Sequence, residues 1–393
     1  MTLDAAAVKR WIAGLALLGL ALAPARAETV AADVRFALID NRVFVPAMLN
    51  GRGPYALLLD TSTDTGGVSL AVMEEIGARA DGRVAGAGRA VVFRTHVASL
   101  RIGRAELRNL PALAQSFAAP NDVDGFQRFD GIVGQAVLRR YVVDIDFARR
   151  RLRLIEPKDY RGPAGAIAIP FAAGAAPAVR ATVAGVRGRF VVDTGEPFSL
   201  TLFGPFWRAH QLDDKLGPGV EALTGYGAGG PVKGIVVRVP QFGFGKASAK
   251  ALVARLSLQT SGGFTDPKIA GGIGTGLLRH FRTIIDYPHG RLLLVPLKSE
   301  PDRFDRAGLW LGRHGAQFAA LDVIAGGPAD IAGLRTGDIV TEIDRSKVET
   351  LDLFAIREKL RDPGYNEPVL IDYLRGGRAG QATLRLRDLL PGG

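Results

Sequence analysis

The chain has 393 residues, 47% of them hydrophobic, 50 glycines and a net charge of +11. This length allows two or three domains, and the hydrophobic content is ample for real cores. The glycine content and the low aromatic fraction of 7% are typical of a turn-rich β protein. The basic residues are spread through the chain without an interleaved aromatic patch, so we expect no nucleic-acid partner.

The N-terminus has the pattern of a secretion signal. Lys9 and Arg10 precede an apolar stretch over residues 11–22, and Ala25-Arg26-Ala27 resembles a cleavage site before Glu28. The stretch is shorter than the roughly 20 residues of an ordinary membrane span. These features predict a signal peptide over residues 1–27 and a periplasmic or secreted protein, with a retained membrane anchor as the alternative. The absence of cysteine fits an exported protein that relies on core packing.

Two similar hairpins follow, and each ends in an aspartate. Extended runs joined by a Gly-rich turn precede Asp60-Thr61-Ser62, and the same order precedes Asp193-Thr194-Gly195. Two facing carboxylates cannot both ionise easily, so one keeps a proton. A pair of this kind can act as acid and base around a single water molecule.

The similarity continues beyond the two tripeptides. Residues 130–157 match residues 270–297, and Gly134 aligns with Gly274 at an offset of 140 residues. Two copies with a period near the size of a domain indicate duplication rather than a solenoid. We therefore predict a first unit over residues 28–160, with a short helix over residues 71–78, and a second unit over residues 161–300.

The last unit, residues 301–393, differs in character. A short helix after Pro328 ends at Gly333, the strand Ile339–Ile343 follows, and a further helix covers residues 351–360. This pattern resembles a PDZ domain of the bacterial exported kind. The resemblance implies a C-terminal peptide ligand, which adds as a strand between residues 317–324 and the last helix. It also implies that loop amides hold the terminal carboxylate of the ligand, at Gly308, Leu309, Trp310 and Leu311. The alternative is a domain that packs on the rest of the protein and binds no peptide.

The duplicated part, residues 34–296, resembles the aspartic proteases of the retropepsin-like and pepsin-like superfamily. The resemblance implies a mainly β, two-lobed, barrel-like fold followed by the α+β PDZ domain. It implies that Asp60 and Asp193 are the catalytic pair and that Thr61 and Thr194 bond across the lobes. The supporting positions that it implies are Ser62 and Gly195, next to those threonines, and the strand glycines Gly134 and Gly274.

The resemblance also implies an endopeptidase that activates water directly, without a metal or other cofactor. The substrate is then an extended peptide or an unfolded protein, covered by hairpins around residues 84–94, with Gly86 and Gly88, and around residues 224–227. Since both lobes lie in one chain, no homodimer is obligatory.

The sequence departs from this family in several places. Ser62 stands where the family has glycine, and Asp64-Thr65-Gly66 offers a second register for the first motif. Glu196 follows the second motif. Either its charge raises the pKa of the aspartate pair, or its side chain points to solvent. The second functional hypothesis is therefore a degenerate protease fold that acts as a peptide-binding adaptor. A serine protease is weakly supported, because the sequence lacks a G-x-S-x-G motif.

Overall fold

The structure is a computed structural model that describes residues 28–84, 91–117, 130–158, 160–172, 176–227, 230–298 and 301–390. The predicted signal peptide, and Gly86 and Gly88 of the first predicted hairpin, lie outside these residues. Within the described ranges no helix is long and apolar enough to cross a membrane. The predicted fold class is confirmed, since the chain is mainly β with barrel-like sheets and a C-terminal PDZ domain.

The first lobe is a sheet that closes on itself. The strand order is β2-β3-β4-β9-β5-β8-β7-β6, and β3 also pairs with β7 through Leu49 and Leu100. The hairpin predicted before Asp60 is formed by β3 and β4. The elements are β1 Val30–Arg35, β2 Ala37–Ile39, β3 Arg42–Leu49, β4 Arg52–Leu59, β5 Gly66–Ser69, α1 Leu70–Glu75, β6 Ala80–Arg83, β7 Val92–Ile102, β8 Ala105–Gln115, β9 Gly131–Val133, α2 Gln135–Leu138, β10 Val142–Asp146 and β11 Arg151–Ile155.

Helix α1 ends before the position that the apolar spacing predicts. Its N-terminus is capped by the Ser69 side chain, which accepts the amide of Val72 at 3.1 Å. Gly77 then adopts a φ of +70°, and the Ala78 amide bonds to Met73 O at 3.0 Å. A left-handed glycine just after a helix is a common stop signal, so the helix closes about one turn earlier than predicted.

The second lobe repeats this architecture. Its strand order is β13-β14-β19-β15-β18-β17-β16, and β13 also pairs with β17, where Ala181 lies opposite Phe244. The hairpin predicted before Asp193 is formed by β13 and β14. The elements are β12 Ile167–Pro170, β13 Ala178–Val183, β14 Val186–Asp193, β15 Leu200–Leu202, α3 Gly204–Ala209, α4 Leu212–Leu216, β16 Val220–Gly227, β17 Gly230–Phe244, β18 Ala247–Ser257, a 3-10 turn Gly263–Thr265, β19 Gly271–Gly274, α5 Thr275–Leu278, β20 Phe281–Asp286 and β21 Arg291–Pro296.

A further sheet joins the two lobes, in the order β1-β11-β10-β20-β21-β12. Its centre is the antiparallel pair of β10 and β20, where Val143 lies opposite Ile285. These strands come from corresponding positions of the two sequence copies, because β9-α2-β10-β11 in the first copy recurs as β19-α5-β20-β21 in the second. The duplication read from the sequence is therefore present in the fold, and its copies meet at this sheet.

The third unit has its own core, which includes the buried side chains of Leu311, Phe318, Val340 and Leu360. Its strand order is β22-β23-β24-β26-β27, with β25 beside β24. The elements are β22 Leu309–His314, β23 Gln317–Val323, α6 Pro328–Ile331, β24 Ile339–Ile343, β25 Ser346–Lys347, a 3-10 turn Val348–Thr350, α7 Leu353–Arg361, β26 Val369–Arg375 and β27 Arg378–Leu384.

This unit packs directly on the second lobe. A buried apolar cluster joins Ile324 and Leu390 to Ala222, Val236 and Val253. Such burial of apolar side chains across the junction stabilises the contact between the two parts.

Asp302 fixes the segment that connects the second lobe to the third unit. Its carboxylate accepts hydrogen bonds from the Ser199 hydroxyl and from the Val253 amide, the latter at 3.1 Å. Burial acts to raise the pKa of Asp302, but hydrogen bonds from His280, Ser199 and Val253 outweigh it and lower the pKa below 3.8. Asp302 is therefore buried inside the junction.

Candidate active site

Asp60 and Asp193 are brought together by the way in which each hairpin strand ends. Strand β4 runs parallel to β9, and the Asp60 amide bonds to Val133 O at 3.0 Å. Strand β14 runs parallel to β19 in the same manner, with Asp193 opposite Gly274. A methyl group placed on Gly195 would lie 2.9 Å from the Asp60 carboxyl carbon and 3.2 Å from Asp193 Oδ1. The two carboxyl groups therefore border the same point, and glycine is required there.

Thr61 and Thr194 form a reciprocal bridge between the lobes. The Thr61 amide donates to Thr194 Oγ1 at 3.2 Å, and the Thr194 amide donates to Thr61 Oγ1 at 3.1 Å. The hydroxyls in turn donate to opposite strands, Thr61 to Val192 O at 2.7 Å and Thr194 to Leu59 O at 2.6 Å. Both threonines are fully buried. Every donor in this bridge is satisfied by the other lobe, so it fixes the spacing of the two aspartates.

A second pair of polar side chains supports the bridge from behind. Gln135 Nε2 donates to Thr61 O at 3.0 Å, and Thr275 Oγ1 donates to Thr194 O at 3.0 Å. Gln135 and Thr275 directly follow Gly134 and Gly274, at the same offset of 140 residues. Sequence reasoning did not single them out, although the repeat alignment places them at equivalent positions.

The supporting glycines predicted at positions 134 and 274 lie where a side chain would not fit. A Cβ on Gly134 would collide with the carbonyl oxygens of Thr65 and Thr63, which belong to the loop after Asp60. A Cβ on Gly274 would collide with those of Phe198 and Glu196, which belong to the loop after Asp193. Each glycine strand thus packs against the loop that carries one aspartate.

The surroundings of the two carboxyl groups differ. The Ser62 amide and hydroxyl both donate to Asp60 Oδ1 at 2.8 Å, and Thr63 Oγ1 donates to Asp60 Oδ2 at 2.7 Å. An ionised carboxylate only accepts hydrogen bonds, so this environment matches an ionised Asp60. Asp193 Oδ1 accepts the Gly195 amide at 2.9 Å. Ser62 is thus a double hydrogen-bond donor to Asp60.

Asp193 has the electrostatic environment of a protonated acid. Burial raises the pKa of Asp193 well above 3.8, and the charges of Asp60 and Glu196 raise it further. The hydrogen bond from the Gly195 amide opposes this shift without cancelling it. One carboxyl group of the pair therefore keeps a proton at a pH at which an ordinary aspartate has lost it.

The alternative register at Asp64 does not enter this pair. The Asp64 side chain is 77% exposed and lies 3.7 Å from Arg139. Its carbonyl oxygen accepts the Ala136 amide at 2.9 Å, so its backbone supports helix α2 instead. Of the two aspartates offered by the sequence, the geometry brings Asp60 to Asp193.

Glu196 does not point to solvent. Its side chain is buried, and its Oε2 accepts Arg255 Nη2 at 2.5 Å. Arg255 is buried as well, bonds to Thr201 and Thr224 at 3.0 Å, and stacks on Phe264 with 4.8 Å from Cζ to the ring centre. Of the two interpretations that the sequence leaves open, the structure supports a charge that raises the pKa of Asp193. Arg255 was missed because no local motif marks it.

Two substitutions at Thr194 test whether the hydroxyl groups of the bridge, rather than the shape of its side chains, are needed. Thr194→Val keeps the volume but leaves the buried Thr61 amide without its acceptor, so we expect about 2–4 kcal/mol lower stability and a large loss of any site-dependent activity. Thr194→Ser keeps both hydrogen bonds and is expected to retain most of both properties. Thermal unfolding of both variants is the measurement. Equal behaviour of the valine and serine variants would show that the bridge hydroxyls are dispensable.

In the third unit, the prediction that a peptide adds along residues 317–324 is wrong. Strand β23 pairs with β22 on one side and with β24 on the other, which leaves no room for an added strand. Strand β22 ends the strand order in the described part of the chain, and helix α7 packs beside it. A peptide that adds as a strand would therefore lie along β22.

The loop predicted to hold the terminal carboxylate of a peptide, residues 308–311, already binds the carboxylate of Asp305. The Leu309 amide donates to Asp305 Oδ2 at 2.9 Å, and the Ala307 amide lies 3.4 Å from Oδ1. Burial raises the pKa of Asp305 to about 6, against the effect of these amides and of Arg361. Gly308 has a φ of +64°, which shapes the turn, and Trp310 and Leu311 continue into β22.

Comparison with known proteins identifies the third unit. A scan of protein-family models matches residues 320–375 to the PDZ domain family. A search of curated proteins finds no match for the chain. The PDZ domain predicted from the sequence is confirmed, and the matched residues lie within the predicted unit.

Proposed function

We propose that this protein is an aspartic endopeptidase with an attached peptide-recognition domain. The observation that carries the proposal is the carboxyl pair of Asp60 and Asp193, held by the reciprocal threonine bridge in a site with unequal environments. Two carboxyl groups that share one proton, one as base and one as acid, can activate water for attack on a peptide bond.

The unequal environments support different roles for the two carboxyl groups. Asp60, which accepts hydrogen bonds from Ser62 and Thr63, is the base. It takes a proton from the water molecule while the oxygen of that water bonds to the scissile carbonyl carbon. Asp193 gives its proton to the carbonyl oxygen, which forms a tetrahedral diol. Asp60 then passes its proton to the amide nitrogen, and Asp193 recovers a proton from the diol as the carbon–nitrogen bond breaks. The products are a carboxylic acid and an amine, with the shared proton restored.

An extended peptide or an unfolded segment is the proposed substrate, lying between the lobes. The hairpin of β16 and β17 in the second lobe includes Thr224–Gly227, one of the two covering segments expected from the sequence. We further propose that the enzyme acts after export, because of the N-terminal pattern. The PDZ domain supplies peptide recognition, and we propose that a chain terminus is its ligand.

The test is cleavage of a mixed peptide pool by the full chain, from acidic to neutral pH, in water enriched in oxygen-18. Hydrolysis places the label in the new carboxyl group, and direct attack by water forms no covalent acyl-enzyme, so mass spectrometry should detect labelled products and no adduct of the protein chain. A peptide with a hydroxyl-bearing tetrahedral isostere at the cleavage position is expected to inhibit much more strongly than the matching substrate binds. Folded protein that neither cleaves the pool nor binds the isostere would refute the proposal.

The alternative is a peptide-binding adaptor. The PDZ match and the unusual Ser62 and Glu196 positions favour it. It predicts peptide binding at β22 without cleavage and without binding of the isostere, so the same experiment separates the two functions.

A further inference from the structure

A single turn of the first lobe contacts both the loop that follows Asp193 and the PDZ domain. The segment Asp40–Arg42 consists of the turn between β2 and β3 and the first residue of β3, and it is called the latch turn below. Asn41 Nδ2 donates to Pro197 O at 3.0 Å, and Arg42 Nε donates to Gly195 O at 3.3 Å. Both acceptors belong to the loop that follows Asp193. The turn is thus bonded to the backbone that positions one of the two carboxyl groups.

Asp40 faces the opposite way, toward helix α7 of the PDZ domain. Its Oδ2 pairs with Arg357 Nη1 at 2.8 Å, and its Oδ1 pairs with Arg361 Nη1 at 3.0 Å. The side chain of Asp40 is 12% exposed and that of Arg357 is 6% exposed. Burial acts to raise the pKa of Asp40, but Arg361, Arg357 and Arg42 outweigh it and hold the pKa well below its ordinary value. Removing one partner of a shielded pair leaves a buried charge without its counter-charge, which costs more than the loss of a surface ion pair.

Arg357 also occupies the strand edge where a peptide would add. Its Nε and Nη2 donate to Leu311 O at 3.1 and 2.6 Å. Strand addition needs the carbonyl groups of β22 as acceptors for the amides of the incoming peptide. The guanidinium that pairs with the latch turn therefore has to leave Leu311 O before a peptide can pair along β22.

A second contact joins the PDZ domain to the hairpin beside the carboxyl pair. Asp322 Oδ2 in β23 accepts the Leu223 amide of β16 at 2.7 Å. Strand β16 ends the sheet order of the second lobe in the described residues, so this bond ties the outer strand of the hairpin to the PDZ domain. A cavity of about 120 Å³ lies between these parts, lined in part by Phe198, Thr224, Trp310 and Arg361. The junction is thus incompletely filled, which makes separation easier than in a close-packed core.

We propose that the latch turn and a peptide with a free carboxyl terminus compete for the PDZ domain, so that peptide binding along β22 releases the PDZ domain from Asp40 and frees the β16–β17 hairpin. The effect on cleavage, which is faster substrate entry, rests on the proposed protease function. The competition itself does not. The threonine bridge and its support by Gln135 and Thr275 lie within the two lobes, so release leaves the carboxyl pair assembled.

The test measures peptide affinity and backbone exposure in the full chain, without relying on catalysis. The probe is a fluorescent pool of eight-residue peptides with free carboxyl termini, and the same pool with amidated termini is the reference. Asp40→Asn removes the charge that holds Arg357 and keeps the side-chain shape. Because coupling between two binding events is reciprocal, we expect this variant to bind the free-terminus pool at least about five-fold more tightly than the wild type.

Lys359→Gln is the matched control on the same helix. Lys359 pairs with Asp344 inside the PDZ domain at 2.7 Å, so its loss changes an ion pair of α7 without touching the latch turn. We expect the affinity of this variant to stay within about two-fold of the wild type. Hydrogen–deuterium exchange at Leu223 is the second readout. It is expected to rise in Asp40→Asn, and in the wild type when the pool is added.

Each outcome decides the proposal. Equal affinity of wild type and Asp40→Asn, weaker binding by the variant, or no binding by either would overturn it. Tighter binding with unchanged exchange at Leu223 would overturn the link to the hairpin. Tighter binding and faster exchange without any peptide cleavage would uphold the latch and refute the protease function instead.

Discussion

Replacing Asp193 with asparagine is expected to abolish peptide cleavage, with a fall in rate of at least about 10³-fold. Asparagine fits the same space and accepts the Gly195 amide in the same way, but it cannot supply the proton that the carbonyl oxygen of the substrate needs. The measurement is the rate of peptide-pool cleavage by wild-type and variant chains at matched concentrations.

The same substitution is expected to stabilise the fold near neutral pH. Since the pKa of Asp193 is raised in the folded state, the folded protein binds this proton more tightly than the unfolded chain does. The stabilisation from this bound proton is complete below the pKa that Asp193 has in the unfolded chain, and it is lost as pH rises through the pKa that Asp193 has in the folded protein. The asparagine side chain does not titrate, so the melting temperature of the variant relative to wild type should increase from about pH 4 to about pH 8.

Asp64→Asn is the matched control, because Asp64 belongs to the competing motif and is exposed. We expect wild-type cleavage and wild-type stability from it. Cleavage that survives Asp193→Asn but disappears in Asp64→Asn would contradict the assignment of the pair. A variant of Asp193 that loses activity because it unfolds would be recognised by its melting curve.

The sequence predicts the parts of the fold that are written in local patterns. Both hairpins, the Asp-Thr motifs and the strand glycines recur in the same order in the second copy, the motifs 133 residues apart and the glycines 140 residues apart. The alignment of the two copies therefore places Asp60 opposite Asp193. The PDZ domain is likewise marked by a continuous segment. The edge strand was assigned incorrectly, because residues 309–314 and 317–323 both have strand patterns. Only the pairing of β23 with two neighbours distinguishes them.

Contacts between distant residues explain what the sequence does not show. Glu196 and Arg255 are 59 residues apart, and Asp40 and Arg357 are 317 residues apart. Each of these side chains taken alone looks like an ordinary surface charge, which is the usual place for Asp, Glu and Arg. Their burial follows from how the lobes and the PDZ domain close around them, and no periodicity in the chain records that closure.

Replacing Arg255 with methionine is expected to lower the stability of the protein by about 3–5 kcal/mol. Methionine retains much of the contact with Phe198 and Phe264 but leaves Glu196 buried without its counter-charge. The unpaired charge also lies beside Asp193, whose pKa it already raises. Denaturant midpoints and melting temperatures of the wild type and variant measure the loss. Arg149→Met, which removes a 76% exposed partner of Asp146, is the control and should change stability by less than about 1 kcal/mol.

The double variant Glu196→Gln with Arg255→Met decides whether the loss comes from the isolated charge or from the shape of the site. If the buried carboxylate without a partner is the cause, its removal should recover most of the stability, because a neutral amide can still accept the Phe198 amide that Glu196 accepts at 3.2 Å. The pKa of Asp193 should then fall, since one of the charges that raise it is gone, and the alkaline limit of cleavage should move to lower pH. A double variant as unstable as Arg255→Met would instead assign the stability to the stacking and hydroxyl contacts of Arg255, and Glu196 would have no electrostatic part in the site.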